Sequence, residues 1–160
     1  MEPASDSLAK LEALDRAFAG IEHDLWTGGV LNVAPSRVRE TKAMRAKGVD
    51  QLDNHDLDYL MFKCMTTMGG VNTFKFFLPR FIRAVLATPS FAWMSEAHVL
   101  MSKLNTAEFE TWPSSEKTAT AEALEVLAQA YIMLNEDEWS GPDEDARALL
   151  AWTQSAKAVA

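Results

Sequence analysis

Asp53, His55 and Asp56 lie within four residues of one another, and Arg80 follows them at the end of an aromatic run. Two carboxylates beside an imidazole are groups that move protons or hold a hard cation, and a guanidinium can steady an anionic substrate. A small hydrolase or ligand-binding enzyme using Asp53, His55, Asp56 and Arg80 is therefore one functional expectation. A plainer reading competes with it. Asp53, Asp56 and Asp58, preceded by Asp50, crowd the start of a helix, where free amide groups and the helix dipole favour negative charge without any ligand. The spacing also lacks the central glycine and closing glutamate of an EF-hand loop. Capping is the more economical account of these acids. Arg80 and Arg83 divide in the same way. Either they receive an anion, or Arg80 serves carbonyls freed by Pro79 and pairs with an acid between Asp50 and Asp58, which is the favoured expectation.

Other reactive groups are sparse. His23, His55 and His98 form no pair at the four-residue spacing that puts two metal ligands on one helix face, and no H-E-x-x-H, P-loop or G-x-S-x-G sequence occurs. No metal, cofactor or catalytic residue is expected. The single Cys64 excludes an internal disulfide and reads as a small buried hydrophobe, its sequence neighbours Lys63 and His55 giving it no well-placed basic partner.

Charge is distributed unevenly. Between Ser36 and Lys47, Arg37, Arg39, Lys42, Arg45 and Lys47 face Glu40 alone, a local net of +4. From Thr106 onward eleven acids stand against Lys117, Arg147 and Lys157, a local net of −8 that equals the charge of the whole chain. Such a surface repels phosphate backbones and suits a basic protein. The basic stretch has no interleaved aromatics to stack on bases, so nucleic acid is not an expected partner. Glu136, Asp137, Glu138, Trp139, Asp143 and Glu144 place an aromatic among acids around one turn, either as a solvated helix cap or as a partner site.

The elements that position these groups read as helices. At 160 residues and 48% apolar composition the chain suits one domain over its whole length, with ends near 1–6 and 154–160 expected to fray. It contains no run of about 18 apolar residues and no charged, apolar leader, so a soluble cytoplasmic protein is expected. Leu8, Leu11, Leu14, Phe18 and Ile21 mark an amphipathic helix over Ser7–His23, and Ser36–Gly48 reads as a marginal polar helix or ordered loop. Leu57, Leu60, Met61, Cys64, Met65 and Met68 predict one long apolar helix stopped by Gly69 and Gly70. Asn72 or Thr73 then caps a helix kinked at Pro79. Further helices are predicted over Phe91–Leu104, from Trp112-Pro113 for about twenty residues, and from the turn around Trp139 to Trp152. The fold class is all-α, a single bundle-like domain of five to seven helices with no strand.

Gly69, Gly70, Phe74, Phe77, Leu78, Pro79 and Arg80, with Trp112, Pro113 and Glu116, give an F-x-x-F-L-P-R segment and a later W-P-x-x-E helix start. This wording resembles an uncharacterised family of bacterial helical proteins, over about residues 54–134. The resemblance implies a compact bacterial helical domain and brings no activity. Its members' upstream cysteine-containing turn has no counterpart between Asn32 and Lys47, so no metal role carries over. Size, acidity and the lack of catalytic motifs together lead to a protein-binding module of immunity or antagonist type, acting on a bacterial toxin with a basic surface.

Overall fold

The computed structural model describes residues 5–23, 38–88, 97–137 and 143–159, and among them the chain is all-α with no β-strand. Seven helices follow in order: α1 (Ser5–Phe18), α2 (Val38–Ala46), α3 (Asn54–Lys63), α4 (Val71–Ala87), α5 (Ala97–Thr106), α6 (Ser114–Asp137) and α7 (Asp143–Val159). Short 3-10 turns at Val49–Gln51 and Phe109–Thr111 lead into α3 and toward α6.

The longest helix, α6, is the shared wall of the bundle. It packs against α1, α4 and α7, while α3 and α1 lie on α4, and α5 lies on α7. Its composition explains this role. Ala119, Ala121, Ala123 and Ala128 are buried with Leu124, Val126 and Leu127, and small side chains let neighbouring helices approach closely on more than one face. Glu125, on the same helix, accepts from Lys157 of α7 at 2.6 Å and from Lys10 of α1 at 3.3 Å. One carboxylate therefore ties three helices together. Bonding from Lys157, aided by Lys10 and opposed by burial, holds its pKa below the usual glutamate range.

The second centre is α4, whose Phe74, Phe77, Leu78, Phe81, Ile82 and Val85 are fully buried. Pro79 lies inside this helix and is itself buried. Lys75 leaves the apolar face to meet Glu116 at 2.6 Å, with its ammonium 4.4 Å from the centre of the Trp112 ring. Trp112 is buried, donates its indole N–H to the Ala107 carbonyl at 2.8 Å, and sits edge-on to Phe18 with ring centres 5.9 Å apart. The Trp-Pro start of α6 is thereby locked to α1 and α4 at once.

Several boundaries differ from expectation. Helix α1 stops at Phe18, five residues before His23, in a turn through Ala19 and Gly20. The polar segment after Ser36 takes the helical one of its two expected forms, as α2, and Met44 is its only residue with a buried side chain among those described. Helix α3 ends at Lys63 rather than at the glycines, because Cys64 leaves the helical backbone (φ −55°, ψ 138°) and Met65 follows it in a left-handed one (φ 65°). Gly69 still has a conformational task. Its φ of +62° and the nearness of Thr73, with which a Cβ would collide, both require glycine. Neither Asn72 nor Thr73 caps α4; the N-cap is Gly70, with no side-chain bond. Helix α6 reaches 24 residues, longer than expected. Of the predicted Phe91–Leu104 helix, Ala97–Leu104 belongs to α5, and residues 91–96 lie outside the described residues.

Two measurements check this packing. Phe77→Ala removes a fully buried ring, and urea unfolding should show a loss of ~3–5 kcal/mol; a loss below ~1 kcal/mol would place the ring outside the core. Glu125→Gln should cost ~1–3 kcal/mol at neutral pH. Because the folded pKa of Glu125 is depressed, the wild-type advantage is full above the ordinary glutamate value of about 4.3. It fades as pH falls through the lower, folded value, so the two stability curves should converge in acid.

Candidate functional site

The Asp53 cluster is built from the backbone outward. Asp53 is the N-cap of α3, its carboxylate accepting the Asp56 amide at 2.9 Å, while Asp56 reaches back to the Asp53 amide at 3.1 Å. This reciprocal box satisfies two of the free amide groups at a helix start. Lys47, just beyond α2, donates to Asp56 and lies 3.4 Å from Asp53. The amide of Asp56 leads the causes that hold the Asp53 carboxyl below the usual range. The bond to Asp56 leads those that raise Lys47. His55 is exposed on the first turn.

Arg80 is occupied elsewhere. Its guanidinium donates to the Phe76 carbonyl at 3.4 Å, stacks 4.6 Å from the Phe76 ring centre and stands 3.9 Å from Asp50. The pairing with an acid of the 50–58 region is thus present. The carbonyl it serves is that of Phe76, one residue beyond the Lys75 carbonyl that Pro79 deprives of an amide. Among the described residues Arg80 makes no hydrogen bond or ion pair with Asp53, His55 or Asp56, and Arg83 pairs with Asp15 of α1. The structure brings Asp53 and Asp56 together with Lys47, and leaves the four-residue constellation of Asp53, His55, Asp56 and Arg80 unassembled.

The remaining histidines are also structural in their surroundings. The His23 ring meets Phe76 and Phe77 with centres 5.0 and 5.9 Å apart. His98, at the start of α5, contacts Asp145 of α7 at 3.1 Å. No group of three His, Cys, Asp or Glu side chains that could hold a metal ion occurs among the described residues. A groove of about 650 Å³ between α1 and α6 is lined by Ala13, Ala17, Ala119, Ser114, Ser115 and Thr118, with Arg16 and Glu122 as its charged members.

Sequence reasoning missed Lys103. This lysine is 7% exposed, and its ammonium donates to the carbonyls of Phe62 at 2.6 Å and Cys64 at 2.7 Å, across 41 and 39 residues of chain. No carboxylate lies within ion-pair distance of it among the described residues. Burial pushes its pKa below the usual lysine range, with the neighbouring Cys64 opposing that shift. The Cys64 thiol is itself fully buried and lies 3.5 Å from the Gly70 carbonyl. Between the two carbonyls held by Lys103, that of Lys63 accepts the amides of Thr66, Thr67 and Met68 at 3.2, 3.0 and 3.2 Å. Three consecutive carbonyls at the end of α3 are therefore satisfied by one turn and one distant ammonium. A signal for this did exist, since position 103 shares a helical face with the buried Leu100 and Ala107, three and four residues away. A lysine on a core stripe marks either an error of pattern or a partner that the sequence does not show.

The acidic turn is defined only in part. Glu144 is exposed in the first turn of α7, and Asp145 is shared with His98. Glu138 and Trp139 lie outside the described residues, as do the side chains of Glu136, Asp137 and Asp143. The chain matches no known protein-family model, no curated protein and no solved structure.

Lys103→Met keeps the bulk and removes both donors. It should destabilise the protein by ~2–4 kcal/mol through two carbonyls left without a partner. Amide exchange should quicken first at Thr66, Thr67 and Met68; a variant as stable as wild type, with unchanged exchange there, would show that the turn does not depend on this lysine.

Proposed function

We propose that this chain is a small acidic protein-binding module that captures a basic protein, and that it serves as an antagonist of a bacterial toxin. The observation that carries the reading is the segregation of charge. Eleven acids against three bases follow Thr106, and five of them, Glu136, Asp137, Glu138, Asp143 and Glu144, fall within nine residues of sequence that also hold Trp139. Lys157 is drawn onto Glu125 inside the bundle, far along α7 from this stretch, and Glu144 has no partner among the described residues. Acids clustered in sequence with an aromatic suit a cationic surface, with charge steering the encounter and the ring supplying apolar contact. The Asp53 cluster lends the rival enzymatic reading no support, since its carboxylates are engaged by backbone amides and Lys47.

The test is affinity capture from a bacterial lysate at low and moderate salt, with the wild type beside a variant carrying Glu136→Lys, Glu138→Lys and Asp143→Lys. The expected result is one basic protein, held at low salt, weakened at moderate salt and lost in the variant, whose melting temperature stays unchanged. Capture retained by the variant would move the site elsewhere. No partner at either salt would overturn the protein-binding reading.

A further inference from the structure

We draw no further inference here: the strongest candidate, the exposed Arg39 and Lys42 on α2, is a surface patch of two cations with no partner among the described residues, and nothing in the structure shows what anion would cover it.

Discussion

A buried ammonium with no carboxylate partner among the described residues sits at the junction on which much of this bundle depends. Taking a charged lysine out of water is costly unless its donors are met, and Lys103 meets two backbone carbonyls that would otherwise be stranded at the end of α3. The exchange is mutual. The chain must reverse between Lys63 and Val71 to lay α3 against α4, and a left-handed Met65 makes that reversal at the expense of regular helix bonding. The carbonyl of Lys63 is served from within the turn, and its two neighbours are served by α5. One side chain therefore fixes where α3 ends and anchors α5, which otherwise leans on α7.

The other polar ties follow the same logic at lower cost. Glu125 and the Lys75–Glu116 pair are partly buried ion pairs whose members come from different helices, so each converts packing that hydrophobic contact leaves free to slide into a fixed register. The apolar core supplies the bulk of the driving force through the phenylalanines of α4 and the small residues of α6. The ion pairs and the Trp112 indole bond then select one arrangement.

How much of this was legible in the sequence depended on whether the cause was local. The spacing of Leu11, Leu14 and Phe18 showed the buried stripe of α1, the Asp53 and Asp56 pair showed the cap of α3, and Trp112-Pro113 showed the start of α6. Each rests on neighbours within a turn or two. The end of α3 was misplaced because Met61, Cys64 and Met68 are all core residues, and their spacing is compatible with one helix; the left-handed Met65 parts Met68 from the other two, and the carbonyls of Phe62 and Cys64 are answered from α5. The partner of Arg83, Asp15, lies 68 residues away, and that of Lys103 about 40 residues away. No pattern of spacing names such contacts. The candidate acids were visible as composition, whereas Arg80's absence from the Asp53 cluster required geometry.

The most direct measurement of the central claim is a side-chain NMR titration of the protein labelled with ¹⁵N at its lysines, with Lys103 assigned by its loss in Lys103→Arg. If Lys103 is a desolvated ammonium held only by carbonyls, its Nζ should titrate at lower pH than Lys10 and Lys47, whose carboxylate neighbours raise theirs. Its protons should also exchange more slowly than those of exposed lysines. A Lys103 that titrates together with Lys10 and Lys47 and exchanges freely would contradict the account, because it would place the ammonium in water and leave the end of α3 without its anchor.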